Sequence, residues 1–326
     1  TRIERVSGPL AGLLVVEMGS LIAGPFCGQL MGDMGADVIK IEAPGEGDPM
    51  RHWGQGAKPA WWRVIGRNKR SVSIDLRQKR GQDLAKQLIA RADILIENFR
   101  PGTLEKWDMA PAQLHATNPG LIIVRVSGYG QTGPYADRAG FGLVGEAMGG
   151  WRYLVGEPDR PPARMGVSIG DTLAASFGCT GALAALHHRE KTGKGQVVDS
   201  ALYEAVLQVT ESLVADYGTS GHMRERTGSI LPRIAPSNVY PCRDGDIVMV
   251  YNDRARVLGV ALVTERCRPG LLHSYQAGAK YDPLEPGNAD SIDRGGCVNL
   301  LSPSRYTSKN ACGEANMSYL VEVRKW

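Results

Sequence analysis

The sequence contains no apolar run near the roughly 18 residues that a membrane-spanning helix needs, and its first residues lack the basic-then-apolar order of a secretory signal. A cytoplasmic location is expected on that basis, mitochondrial or peroxisomal in a eukaryote. The six cysteines, at positions 27, 179, 242, 267, 297 and 312, form no C-x-x-C pair and are too few to staple 326 residues. That excludes a zinc ribbon, a dithiol redox motif and a disulfide scaffold, and points to reduced thiols. Charge of one sign is also missing: the net charge is +4, and Lys and Arg are scattered along the chain. A nucleic-acid footprint is excluded, while a phosphorylated small molecule remains compatible. There is no internal repeat and no low-complexity tract.

What is present, with 43% hydrophobic residues, suffices for at least one large core, and the length makes two domains the default. Over the first two hundred residues short apolar runs alternate with amphipathic stretches, the pattern of parallel strands joined by crossover helices. Strands are expected over Leu13 to Met18, Asp37 to Glu42, Asp93 to Phe99 and Leu121 to Ser127, with helices over Pro25 to Met34, Arg80 to Ala92 and Pro111 to Ala116. The fold class is α/β: a doubly wound, mostly parallel, Rossmann-like large domain over 1–200, a helix and linker over 201–234, and a smaller α/β domain over 235–326. The small domain opens on a strand pair around Tyr240 and Ile247 to Val250, joined by Arg243 to Asp246. In doubly wound sheets ligands lie outside the carboxyl ends of the strands, so the chemistry is sought after Met18, Glu42, Phe99 and Ser127.

Two glycine-rich segments fail as nucleotide motifs. Gly19 to Pro25 sits between a strand and a helix, but its glycines are five positions apart and do not make G-x-G-x-x-G; a tight strand-to-helix turn explains them. Lys191 to Gly195 follows a helix and precedes a β-type run, the reverse of a Walker loop, and reads as a turn. The cations of Asn68 to Ser71 are read either as a phosphate-holding strand mouth or as a solvated face. Glu97 to Gly102 lies at a strand's ligand-binding end and also fits a polar turn.

Gly170-Asp171-Thr172 opens a helix through about Arg189 rich in Ala and Gly. A carboxylate there meets free N–H groups and the positive end of the helix dipole, which lower its pKa. From position alone, helix capping is the commoner reason for such an Asp. The glycine beside it and the glycine-rich stretch before it favour a nucleophile.

Together these segments resemble the family III coenzyme A transferases (the CaiB/BaiF family), which include formyl-CoA:oxalate transferase, carnitine CoA-transferase and 2-methylacyl-CoA racemases. The resemblance rests on Leu10 to Pro49, Asn68 to Leu76, Asp93 to Gly102, Arg125 to Pro134, Gly166 to Thr172 and Lys191 to Asp199, in family order. It implies that Asp171 attacks an acyl-CoA thioester, giving an aspartyl anhydride and then an aspartyl-CoA thioester. It also implies that Arg77, Asn98, Phe99 and Lys106 line the CoA cleft, and that Ile22, Tyr129 and Gln131 border the reacting carbonyl. The implied substrates are an acyl-CoA donor and a carboxylic acid acceptor, with CoA thioester as substrate and no permanently bound cofactor, no metal, no nucleic acid and no membrane partner. The implied assembly is an interlocked homodimer. Racemases of the family carry His in an Ala-Gly-His segment; here Phe141 follows Ala139-Gly140, which favours transfer over racemisation. Past Val250 the motifs end, and 251–326 is expected to be a shifted frame, a splice variant or a truncated product. An inactive CoA-binding remnant therefore stands as the third reading.

Overall fold

The computed structural model describes residues 8–54, 60–228, 247–251, 254–260, 281–288, 290–294, 306–308, 311–314 and 322–325. The chain divides into two compact units, 1–153 with 164–224 and 154–163 with 225–326.

In the first unit the elements alternate: β1 Leu14–Glu17, α1 Ala23–Asp33, β2 Asp37–Glu42, α2 Trp61–Ile65, β3 Lys69–Ser73, α3 Lys79–Ile89, β4 Ile94–Glu97, α4 Thr103–Lys106, α5 Pro111–Thr117, β5 Ile122–Ser127 and α6 Gly142–Met148. The short α7 Trp151–Leu154 follows, then α8 Ile169–Thr192, β6 Val197–Ala201, α9 Leu202–Gln208 and α10 Leu213–Ser220. Six strands form one sheet in the order β3-β2-β1-β4-β5-β6, and every pairing is parallel. Each crossover therefore needs a helix, and the helices cover both faces.

The sequence builds these faces by alternation. Val15, Ile94, Ile96, Ile122, Val124 and Val126 join the core under α1, α8 and α9. Val16, Leu95 and Ile123, their chain neighbours, join the core under α3, α4 and α5. With both faces covered, all six residues of β5 are buried. Each fully buried Val, Leu or Ile contributes about 1.5–3 kcal/mol of transfer free energy.

The small residues of α8 are a close-packing device. A methyl group at Gly178 would lie 3.1 Å from Val124 Cγ1, and one at Gly181 2.6 Å from Val198 Cγ1, so the helix sits directly on β5 and β6. By length and composition α8 is apolar enough to cross a membrane, which corrects the reading that no segment is. Its Ala174, Ala175, Cys179, Ala182 and Ala185 are spent in the core. The helix ends at Gly193, whose φ of 73° permits a left-handed cap that accepts no side chain readily; its N–H donates to Arg189 O. The predicted turn over Lys191 to Gly195 lies there.

Where a helix and linker are expected over 201–234, the chain forms two helices, α9 and α10, with Glu211 at φ 55° between them. Both belong to the first unit.

In the second unit β7 Ile247–Tyr251, β8 Arg256–Val260, β9 Ile292–Asp293 and β12 Glu322–Lys325 form a sheet in the order β12-β7-β8-β9, while β10 Tyr306–Ser308 pairs with β11 Ala311–Glu314. Ile247 to Val250 is a strand as predicted, and its partners are β8 and β12. The predicted partner around Tyr240 lies outside the described residues.

Candidate active site

All strands of the large sheet being parallel, the loops after β1, β3, β4 and β5 share one edge. A buried charge cluster fixes the first. Lys40 Nζ lies 2.8 Å from Glu17 Oε1 and 2.9 Å from Asp48 Oδ2, and donates to Gly19 O at 2.6 Å. Lys69 Nζ lies 2.7 Å from Glu17 Oε2 and donates to Pro25 O at 2.6 Å. Both ends of the Gly19–Pro25 turn are thus held by ammonium groups that share one carboxylate. Burial opposes the charge on each lysine; for Lys40 the pairing with Glu17 and Asp48 prevails and its pKa is raised, whereas for Lys69 burial prevails and its pKa is lowered. The Asn68 to Ser71 cations divide: Lys69 is buried in the cluster, while Arg70 lies on the solvated face, paired with Asp37.

Mid-turn, Leu21 adopts φ 65° and its N–H donates to Asp48 Oδ1. Ile22, buried, is the N-cap of α1. Asn98, just past β4, binds Ser20 on both sides, accepting from its N–H and donating to its carbonyl, each at 2.8 Å. Asn98 is thus a clamp on the same turn as Ile22. Phe99 packs edge-on against Trp107 at 5.2 Å, and its N–H donates to Glu97 Oε2. Arg125 on β5 bonds Glu97 Oε1 at 2.7 Å and Glu105 Oε1 at 2.8 Å, which ties α4 to the strand ends. Lys106, also on α4, is exposed and makes no ion pair among the described residues.

Tyr129 and Gln131 follow β5. Tyr129 packs against Tyr135 and Tyr203 with ring centroids 5.7 and 5.9 Å apart, and the Gln131 N–H donates to Asp199 Oδ2 at 2.7 Å. Gln131 Nε2 is buried without a hydrogen-bond partner among the described residues. Arg77 stands apart: it follows the edge strand β3, is largely exposed, and its guanidinium is engaged by Asp75 at 2.8 Å.

Asp171 sits in the first turn of α8, whose N-cap is Ser168. It is therefore the third helical residue and not the cap. The glycine against its carboxylate is Gly142, the first residue of α6: a methyl group there would lie 2.3 Å from Asp171 Oδ2. Gly170 instead abuts the Gly142 carbonyl, 2.9 Å from where its Cβ would be. Two glycines thus let the starts of α6 and α8 touch. Among the described residues no hydrogen bond to the Asp171 carboxylate occurs.

Burial, reinforced by the negative charge of Glu146 and opposed by Arg164, raises the Asp171 pKa to about 6. This reverses the expectation that the helix terminus lowers it: loss of solvent outweighs the dipole. At pH 7.5 the group is still mostly ionised. The sequence reading passed over Gly142 and Glu146; the available signal was one acid in the otherwise apolar run Gly142-Leu143-Val144-Gly145-Glu146-Ala147-Met148.

The arrangement provides a basic, partly desolvated carboxylate beyond the strand ends, beside preorganised loops. It is suited to attack on an activated carbonyl. Comparison with known proteins identifies the family. The family model described as CoA-transferase family III matches residues 10–267, extending past Val250 where the motif-level resemblance ends. The succinyl-CoA–D-citramalate CoA-transferase of Chloroflexus aurantiacus is 58% identical over 245 residues, which cover 74% of this chain and 61% of that protein. The beta subunit of the succinyl-CoA–L-malate CoA-transferase of the same organism is 45% identical over 298 residues, covering 90% of this chain and 73% of the relative. A CAIB/BAIF family protein from Brucella suis superposes with a TM-score of 0.68 at 40% identity, over 72% of this chain and 64% of that one.

Proposed function

The chain belongs to CoA-transferase family III, and from that footing we propose that it transfers CoA between carboxylic acids, with Asp171 as nucleophile and a short dicarboxylic acid as the donor's acyl group. The observation that carries this reading is the Asp171 carboxylate itself, pressed against Gly142 and held at a pKa of about 6 by burial and by Glu146.

An Asp171 oxygen adds to the thioester carbonyl; a C–O bond forms, the C–S bond breaks, and CoA leaves as thiolate. The thiolate attacks the aspartyl carbonyl of the resulting anhydride and expels the donor acid, leaving an aspartyl-CoA thioester. The acceptor carboxylate attacks this thioester and again frees the thiolate, which captures the acceptor carbonyl and restores Asp171. Each exchange joins acyl groups of similar energy, so the cycle calls for no ATP and no redox group. Support for a dicarboxylic donor comes from the names of the relatives, two of which use succinyl-CoA, and from Arg164, a cation close enough to lower the Asp171 pKa.

A homodimer is part of the proposal. Val214 and Tyr217 on α10 and Leu207 on α9 are exposed apolar side chains that a second copy would cover. Light scattering on the purified chain tests it; a monomer at micromolar concentration rejects it.

The decisive experiment quenches the protein with succinyl-CoA and locates the covalent adduct by peptide mass spectrometry. The adduct is expected on the peptide holding Asp171 and absent in Asp171→Asn. An adduct elsewhere, or undiminished turnover in Asp171→Asn, rejects the assignment. Deuterium washing into the α position without an acceptor acid would instead establish racemisation.

A further inference from the structure

Asp171 has a second carboxylate for a neighbour. Glu146 is 2% exposed and lies on α6 four residues after Gly142, hence on the same helix face, one turn from the glycine that touches the Asp171 carboxylate. The other buried carboxylates of this unit are compensated: Glu17 and Asp48 by Lys40, Glu42 by Arg51, and Glu97 by Arg125. Among the described residues Glu146 has neither an ion pair nor a hydrogen bond through its carboxylate. Burying a charge without a partner is unfavourable, so a fold that keeps one obtains something in return.

We propose that Glu146 is a positioning residue for Asp171: a second carboxylate, fixed one turn along α6, opposes the charge on the nucleophile before reaction, and this opposition ends when the Asp171 oxygen is acylated. The inference rests on Asp171 being the nucleophile. In the acylation step an oxygen lone pair forms the C–O bond, the C–S bond breaks, and its electron pair leaves on the CoA sulfur. Negative charge therefore moves off Asp171 and away from Glu146. The repulsion is present in the resting enzyme and absent from the anhydride, which is the differential that accelerates a step. It also leaves the oxygen more basic and so a better nucleophile.

The charged groups that act on Asp171 are Glu146 from α6 and Arg164 from the segment preceding α8. The other elements packed on α8, namely α1, α9, β5 and β6, add none among the described residues.

Glu146→Gln tests the proposal, since it keeps shape and hydrogen-bonding capacity and removes the charge. Two readouts are needed. Carbon-13 NMR titration of labelled aspartates, with Asp171→Asn for assignment, follows the nucleophile directly. Single-turnover acylation by succinyl-CoA, quenched and quantified by mass spectrometry, follows the chemistry. In Glu146→Gln the Asp171 midpoint is expected to fall below the parent's value of about 6 while staying above 3.8, because burial, the larger cause, remains. Acylation at pH 7.5 is expected to slow roughly tenfold, and the gap to the parent should narrow as pH falls below 6. The melting temperature should not drop. Glu146→Asp, which returns the charge, should keep the midpoint higher than Glu146→Gln does. A well-folded Glu146→Gln protein whose Asp171 midpoint is unmoved overturns the proposal, even where the adduct still forms. A shifted midpoint in a chain that forms no adduct keeps the coupling and rejects the nucleophile assignment instead.

Discussion

Gly142 and Asp171 are in direct contact: the space a Cβ on Gly142 would fill is 2.3 Å from Asp171 Oδ2 and 3.0 Å from its Cγ. The position of the Asp171 carboxylate is thus set by the absence of a side chain 29 residues earlier in the chain, at the start of another helix.

Gly142→Ala should therefore displace the carboxylate and leave the fold in place. Gly142 is not among the glycines with positive φ, so alanine meets no backbone penalty there. Misplacing a reacting group by about 1 Å costs on the order of a hundredfold in rate. We expect a loss of that size in single-turnover acylation by succinyl-CoA, with folding retained by circular dichroism. Parent-like turnover would show that the contact does not position Asp171.

Asp171→Asn should stabilise the protein at neutral pH, and the direction follows from linkage. The folded pKa of about 6 lies above the unfolded value of 3.8, so the folded state binds the proton more tightly. Stability thus falls as pH rises from 3.8 to 6, and above 6 folding bears the whole cost of the buried charge. The variant should melt higher than the parent at pH 7.5, and this advantage should shrink as pH drops through 6 toward 4. Melting curves across that range decide it; an advantage independent of pH would contradict the raised pKa.

Lys40→Met should be among the most damaging single changes, because it leaves Glu17 and Asp48 facing Lys69 alone. Breaking a buried ion pair typically costs about 3–5 kcal/mol. Adding Asp48→Asn restores neutrality, and an amide oxygen can still accept the N–H groups of Leu21 and Met50. Urea unfolding should show the double variant more stable than Lys40→Met. Additive losses would mean that the cluster does not act as a unit.

Arg51→Met probes the acid side. Burial would raise the Glu42 pKa, but bonds from Arg51, Ser71 and the Asp48 N–H outweigh it and bring it to about 2. A depressed carboxylate contributes stability above its unfolded value, here 4.5, and loses it as pH falls through 2. Arg51 is partly exposed, so solvent screening limits the loss at pH 6 to roughly 1 kcal/mol. The difference between variant and parent should fade between pH 4.5 and 2, which acid-titrated denaturation curves would reveal.

Much of the fold was legible because it rests on local pattern. The apolar runs placed β1, β2, β4 and β5 within about two residues of where they lie, and alternation along each strand already divided Val15 from Val16 and Ile94 from Leu95. Asp171 stood out for its place between a glycine-rich stretch and a helix of small residues. The charged residues were harder to read. The Lys69 segment looked like surface, since nothing in a linear sequence says that β3 will lie beside β2 and bring Lys69 to the same carboxylate as Lys40. Glu146 and Gly142 left even less trace, because their meaning depends on which helix end they face.

By itself the sequence determined the parallel sheet, its crossover helices and the aspartate at the mouth of α8, since hydrophobic period and helix-start chemistry act over a few residues. Only the tertiary structure decided that this aspartate is buried against a glycine and opposed by a second carboxylate. A pKa depends on every charge and every excluded water within several ångströms, and those neighbours are gathered from distant parts of the chain.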